Sequence, residues 1–269
     1  MQLTAPTKPA RANILGVGVH AINLPSAIKF AEASIAAQVR GYICVTGVHG
    51  VIEANRNAHF RRILDRALLV LPDGMPTVWV GRLQQHQHMQ RVFGPDFMYE
   101  MCSQSTQRGY THFLYGGKPG VAEQLQQNLQ KNFPGIGIVG TFTPPFRRLN
   151  RVEQNQFRDL IASVKPDIIW VGLSTPKQEQ FMAEMIGMLE CKLMVGVGAA
   201  FDIHTNRLKD APKWIKNAGL QWLHRLCQEP GRLWKRYLIN NSTFLWYLGL
   251  QVTGIHRFEL GPEPPQAAG

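Results

Sequence analysis

Two aspartates stand where apolar runs end. Leu71-Pro72-Asp73-Gly74-Met75-Pro76 closes one run and Gly198-Ala199-Ala200-Phe201-Asp202 follows another, so both carboxylates fall at strand termini, where open α/β proteins bind ligands. Such a pair can divide labour, one carboxylate acting as general base and the other holding substrate. Asp-Gly is also ordinary turn chemistry, so spacing alone leaves a purely structural turn open. Arg225, Arg232 and Arg236 follow one another at intervals of seven and four residues. One continuous helix would bring the three guanidinium groups to one face, suited to holding a phosphate, a leaving diphosphate or a phospholipid headgroup, and Glu229-Pro230 is where that helix would break. His112-Phe113-Leu114-Tyr115-Gly116-Gly117-Lys118-Pro119-Gly120 reads as a strand, a glycine-rich turn and a helix start, a pattern in which backbone N–H groups approach a nucleotide diphosphate. A structural turn has the same spacing.

Other chemistries are excluded or weak. Gly16-Val17-Gly18 and Gly196-Val197-Gly198 each follow an apolar run, but both lack the third glycine of a dinucleotide fingerprint and no acidic residue stands near position 38. GxxxxGK[ST], HExxH and GxSxG do not occur, which removes P-loop, zinc-protease and hydrolase-elbow readings. No Asp-x-Asp occurs either, so a diphosphate would be neutralised by fixed cations, and neither a metal nor an organic cofactor is expected. Cys44, Cys102, Cys191 and Cys227 form no CxxC or Cys/His ligand spacing, which points to a reducing compartment.

The elements that must position these groups follow from periodicity. Ile14–Val19, Tyr42–Thr46, Leu68–Leu71, His112–Tyr115, Ile136–Val139, Asp167–Gly172 and Lys192–Val197 read as buried strands. Helices are expected at about Ser26–Val39, Ala58–Ala67, Asp96–Arg108, Val121–Asn132, Val152–Val164 and Pro176–Leu189, the last with Thr175 as cap, Pro176 at the first position and Gln178 in the capping-box place. Alternation with short links predicts an α/β fold: a Rossmann-like, mainly parallel sheet with helices on both faces. After Val197 the alternation stops, and Ala211–Leu250 reads as helical, basic and aromatic. The expected division is a catalytic core over 12–203, a helical basic appendage over 204–260, and flexible termini at 1–11 and 261–269.

The chain of 269 residues carries 29 Lys+Arg against 18 Asp+Glu, a formal +11, which calls for an anionic partner. Between Asn206 and Asn240 eight Lys/Arg face Asp210 and Glu229, a net +6 in 35 residues. The stretch runs into Phe244–Leu250, FLWYLGL, too short to span a bilayer but suited to an anionic membrane surface. A final helix docked on the core has the same composition. The N-terminus, MQLTAPTKPARAN, has no apolar signal region, so the protein is expected to stay in the cytoplasm. The basic stretch accompanies no nucleic-acid motif, so nucleic acid is not expected as a partner, although a basic nucleic-acid-binding protein and a nucleotide- or NAD-binding Rossmann enzyme are the alternatives to weigh.

Seven segments taken together resemble the WecG/TagA/CpsF family of bacterial glycosyltransferases (glycosyltransferase family 26). They are Thr46-Gly47-Val48-His49, Leu71 to Pro76, Arg91-Val92-Phe93-Gly94-Pro95-Asp96, Phe113 to Gly120, Pro176-Lys177-Gln178-Glu179, Gly196 to Asp202, and Trp222-Leu223-His224-Arg225-Leu226-Cys227-Gln228-Glu229-Pro230, in order from about Ile14 to Tyr237. The resemblance implies a GT-E fold with a C-terminal appendage that completes the site at the membrane. It implies a peripheral enzyme on the cytoplasmic face that moves a sugar, with inversion, from a UDP-sugar to an undecaprenyl-diphosphate-linked saccharide for cell-surface polysaccharide; a homo-oligomer is compatible with it. Asp73 carries over as the base, Gln178 from the PKQE motif as a substrate contact, and Arg225 as the appendage arginine. Thr46, Gly47, His49, Tyr115, Gly116, Gly117, Lys177, Gly198, Asp202, Arg232 and Arg236 complete the expected substrate-binding set. The chain departs from the family in three places. Gly47 stands where asparagine is common, leaving Thr46 as the neighbouring candidate; Asp210-Ala211-Pro212 replaces Arg-Ala-Pro; and Gln221-Trp222 replaces Glu-Trp.

Overall fold

The computed structural model describes residues 4–261. Its first apolar run is two strands rather than one: β1 (Arg11–Ile14) and β2 (Val17–His20) pair antiparallel as a separate hairpin. Leu15 and Gly16 turn the chain with φ of 53° and 82°, the double left-handed conformation of a tight hairpin turn. Gly16-Val17-Gly18 is therefore part of a hairpin and not a phosphate-binding strand-to-helix turn. Of the termini expected to be flexible, residues 4–11 and 261 are described: Lys8 Nζ donates to Ala67 O at 3.1 Å, and Arg11, which begins this hairpin, donates to Gly261 O at 2.9 Å; 1–3 and 262–269 fall outside the described residues.

The main sheet has six strands, all parallel. β3 (Gly41–Thr46), β4 (Leu69–Pro72), β5 (Thr111–Gly116), β6 (Gly137–Phe142), β7 (Ile168–Gly172) and β8 (Leu193–Gly196) stand in the order β4-β3-β8-β7-β5-β6. Strand side chains alternate between two apolar layers, as a sheet covered on both faces requires. Tyr42, Cys44, Val70, Phe113, Tyr115, Ile169, Val171 and Met194 face one layer, and Ile43, Val45, Leu69, Leu71, Leu114, Ile168, Trp170, Leu193 and Val195 the other. The second layer is closed by α1 (Leu24–Ala36), α5 (Gly94–Arg108), α6 (Val121–Asn132) and the short α9 (Ala200–His204). Against the first pack α2 (Val48–Arg56), α3 (Ala58–Asp65), α7 (Arg151–Val164) and α8 (Lys177–Met185). The α2 helix and α4 (Met75–Leu83) are additions to the elements expected from periodicity. Chain order reverses between β5, which leads outward to β6 on one side, and β7, which leads to β8 on the other, with α6 and α8 on opposite faces, so the ligand crevice of such a sheet opens above the carboxyl ends of the central strands.

The basic stretch is three helices rather than one: α10 (Lys213–Asn217), α11 (Gln221–Gln228) and α12 (Pro230–Val252). Glu229-Pro230 does break the helix, with Pro230 in its favoured place at the start of the next. The α12 helix lies along α2, where Arg56 Nη1 donates to Asn240 Oδ1 at 3.1 Å, and Phe244 enters the first apolar layer. Its C-terminal end locks onto the hairpin: Leu15 N donates to Gln251 Oε1 at 3.1 Å and Gln251 Nε2 donates to Asn13 O at 3.0 Å. Beyond the helix, Asn13 Nδ2 donates to Phe258 O at 2.7 Å. No helix among the described residues is long and apolar enough to cross a membrane.

Candidate active site

A cleft of about 1210 Å³ opens above the carboxyl ends of the strands. Its walls bring together Asp73, Gly47, His49, Tyr115, Gly117, Lys177, Gln178, Gly198, Asp202, Arg225, Arg232 and Arg236, most of the set expected from the sequence. Thr46 and Gly116 are not on its surface. Thr46 is buried behind the wall, where its O accepts from Asp73 N at 3.0 Å. Gly116, with φ of 127°, lies so close to Gly172 that a Cβ would stand 2.7 Å from the Gly172 oxygen.

Asp73 follows β4 directly. Gly74, at φ 108°, turns the chain into α4, so the carboxylate is left at the sheet edge and aimed into the cleft. Gly47 makes this close packing of strand ends feasible, because a Cβ there would stand 2.4 Å from Asp73 O. The position thus contributes backbone only, and no side-chain amide fits. Three charged groups face Asp73. Arg91 Nε is 3.8 Å from Asp73 Oδ1, Arg225 reaches in from α11, and Asp96 stands at the start of α5. Burial outweighs the two arginines and holds the carboxyl above its ordinary value, which makes it a stronger base when ionised.

Arg91 is a site residue that charge and spacing alone do not single out, although its motif is evident in the sequence. It stacks over Phe93 with the guanidinium carbon 4.2 Å from the ring centroid, and its Nη2 donates to Gln221 Oε1 at the start of α11. The Lys216 ammonium of α10 lies on the same ring at 5.0 Å and pairs with Asp210 and, at 4.0 Å, with Asp96. A single buried-edge aromatic thus gathers two cations next to the carboxylate.

The appendage arginines converge although the helix breaks between them. Glu229 accepts from Arg232 and lies 3.6 Å from Arg225 Nη2, joining the end of α11 to the start of α12. Arg236 follows one turn on, its guanidinium 5.4 Å from the Tyr237 ring. The Nε atoms of Arg225 and Arg236 are buried with no protein acceptor. Burial, and in smaller measure the charges of Arg225 and Arg232, pull the Arg236 guanidinium below its ordinary value, with Tyr237 offsetting part of this. His49 is driven down to about 4, by burial first and then by Arg236 and Arg56, so it stands neutral at physiological pH.

The glycine turn and the PKQE segment do structural work at the cleft. Gly117 N donates to Gly172 O at 3.1 Å, so this N–H is not free to cradle a phosphate as the sequence suggested. Tyr115 is packed in an aromatic stack, its ring 4.1 Å from that of Phe181 and 5.7 Å from that of Phe142. Pro176 is the N-cap of α8 rather than its first residue, and neither Thr175 nor Gln178 caps it in the expected manner. Instead Gln178 Oε1 accepts from Gly198 N at 3.0 Å while its Nε2 donates to Glu179 Oε1 at 3.0 Å, and Thr175 Oγ1 donates to the same oxygen at 2.9 Å. Gln178 thereby ties the end of β8 to the end of β7. Lys177 projects outward, its ammonium 4.5 Å from the ring of the fully exposed Phe146. Among the described residues no three His, Cys, Asp or Glu lie close enough together to hold a metal ion.

Comparison with known proteins decides the family. The model of the glycosyl transferase WecG/TagA/CpsF family matches residues 12–257. The chain belongs to the WecG/TagA/CpsF family. Similar proteins include an N-acetylglucosaminyldiphosphoundecaprenol N-acetyl-beta-D-mannosaminyltransferase of Bacillus spizizenii, 29% identical over 216 residues that cover 80% of this chain and 82% of that protein. A protein of the same name in Bacillus subtilis is 28% identical over 217 residues, with the same coverage of each chain. This WecG/TagA/CpsF member is thus a glycosyltransferase. The match spans both the sheet that carries Asp73 and the α11–α12 junction that carries the arginines.

Proposed function

We propose that this WecG/TagA/CpsF enzyme transfers a sugar from a UDP-sugar to an undecaprenyl-diphosphate-linked saccharide, with inversion and without a metal, at the inner face of the plasma membrane. The names of the two Bacillus relatives make N-acetylmannosamine the first donor sugar to try and N-acetylglucosaminyl-diphosphoundecaprenol the first acceptor. One observation carries the reading: a carboxylate raised in basicity shares a cleft with guanidinium groups whose buried donors have no acceptor in the protein. In a single displacement the acceptor hydroxyl attacks the anomeric carbon, the bond from that carbon to the diphosphate oxygen breaks, and the proton passes to Asp73. Arg225, Arg236 and Arg232 take up the charge that develops on the departing UDP. The sheet core over 12–203 supplies the base and the appendage over 204–260 supplies the cations.

Screening UDP-sugars for UDP release with and without the lipid-diphosphate acceptor tests the reading. Acceptor-dependent release supports it, and its absence with every donor overturns it. Activity is expected to survive excess EDTA nearly unchanged, because the cleft offers Arg225, Arg232 and Arg236 to a diphosphate and the sequence has no Asp-x-Asp to hold a metal on it. Loss on chelation with recovery in Mg²⁺ or Mn²⁺ would reject the fixed-cation account.

The membrane partner rests on the outer face of α12. Trp234, Leu238, Leu245 and Trp246 are 48%, 61%, 67% and 68% exposed on a helix whose other side is docked, with Arg232 and Lys235 beside them. Tryptophan and basic residues together suit an anionic lipid interface. Replacing Trp234 and Trp246 together by alanine is expected to weaken flotation with anionic vesicles by about tenfold or more, since each ring withdraws about 1.5–3 kcal/mol of apolar burial when it leaves the bilayer. Unchanged flotation of the folded double variant would move the contact elsewhere.

A further inference from the structure

The same hydrogen bond that joins Arg91 to α11 joins the appendage to the base. Arg91 has two charged or polar partners: Asp73, 3.8 Å from its Nε, and Gln221, whose Oε1 accepts from its Nη2. Its plane is fixed against Phe93, and the Arg91 side chain is only 11% exposed, so it has little freedom to turn elsewhere. We propose that Gln221 is a positioning residue for transfer: it holds the Arg91 guanidinium against Asp73, so that the helix that brings the cations also tunes the base. The inference rests on the reading of Asp73 as the proton acceptor.

The choice of an amide matters. A neutral acceptor orients Arg91 without cancelling its charge, so the full positive charge acts on Asp73 and keeps it ionised against the pull of burial. A carboxylate at the same place would pair with Arg91 in a charge-assisted contact, draw it away from Asp73, and add a negative charge to the neighbourhood. The other groups that face Asp73 would not compensate. Arg225 from α11 is already opposed by Glu229, Asp96 from α5 acts in the opposite sense, and Lys216 from α10 is engaged by Asp96 and Asp210.

The test is the titration of Asp73 in the full-length protein, followed by NMR of ¹³C-labelled aspartate carboxyls, with Asp73→Asn to identify the signal. In Gln221→Glu the midpoint is expected to rise by about one pH unit, and in Gln221→Ala to rise by less, since that change removes the anchor without adding charge. The acid limb of transfer, measured with the UDP-sugar and lipid acceptor found active, should rise with it. A side chain needed only for packing would lower stability or turnover without moving either midpoint. Thermal unfolding checks that both variants are folded, and Gln221→Ala carries the test if Gln221→Glu is not. An Asp73 midpoint that stays or falls in the folded variants overturns the proposal. A midpoint that rises while the acid limb stays fixed supports the tuning and instead rejects Asp73 as the base.

Discussion

Asp73→Asn is expected to lower kcat by about two to four orders of magnitude while donor affinity stays within about threefold. Asparagine keeps the size of the side chain and an oxygen for Arg91, but it cannot take a proton. The change also leaves Arg91 and Arg225 without the carboxylate that faces them, so diphosphate binding has no reason to weaken. Steady-state transfer and calorimetric titration with the donor read the two quantities separately. The wild-type pH profile tests the same assignment from another side. Burial raises the folded-state value of Asp73, so the active, ionised form is lost as pH falls through that raised value, and the acid limb should lie above the usual carboxylate value of about 3.9. Near-normal turnover of a folded Asp73→Asn protein would remove Asp73 from the role and direct attention to Asp202 on the same wall.

Arg225→Ala is expected to reduce transfer at least about a hundredfold and vesicle binding less than about tenfold. The two magnitudes differ because the environments differ. A preorganised charge on a leaving diphosphate is worth roughly 3–4 kcal/mol, whereas one basic residue near an anionic bilayer contributes about 1 kcal/mol. Arg225 meets the first description: its side chain is 23% exposed, its Nε is buried without an acceptor, and its charge acts on Asp73. The ion pair that Arg225 makes with Glu229, at 3.6 Å near the surface, is worth little by itself. Lysine at 225 should recover part of the activity, because it restores charge but not the forked donors. Equal, small losses of transfer and vesicle binding in Arg225→Ala would assign the residue to the membrane.

The sheet was legible because its strands are buried on both faces and so read as apolar runs, and five of the seven expected runs match strands to within two residues at either end. The other two differ for local reasons. Ile14–Val19 is apolar throughout, and only the left-handed backbone at Leu15, rare for a branched side chain, betrays the turn inside it. The run at Ile136 continues to Phe142 through Gly140 and Thr141, residues that weaken an apolar signal at a half-buried edge strand. The helices α2 and α4 are short and open on a glycine N-cap, Gly47 and Gly74, rather than on a Ser, Thr, Asp or Asn that would announce a helix, and Asp73-Gly74 also reads as ordinary turn chemistry. For the site, acid and cations at segment ends were visible, but the Arg91 contact with Gln221 spans 130 residues and has no local signature. Gln178 was visible as part of a motif, yet its work of tying two strand ends together depends on Gly198, twenty residues on.

The clasp between the end of α12 and the first hairpin sets the order in which the chain becomes competent during synthesis. Gln251 bonds to Leu15 and Asn13 across 236 and 238 residues, and Phe258 to Asn13 across 245. Contacts of such separation form last, because loop closure must precede them. On the ribosome the six-strand sheet is already out when Gly196 emerges, while Gln251 follows several seconds later at roughly 5–20 residues per second. In that interval the nascent chain holds Asp73 with Arg91 beside it but without Arg225, Arg232 and Arg236 docked across the cleft, and the apolar layer that Phe244 enters is not yet closed by it. On the proposed reading, catalytic competence therefore arrives only after translation has passed α12, the helix that brings Arg232 and Arg236 to the cleft.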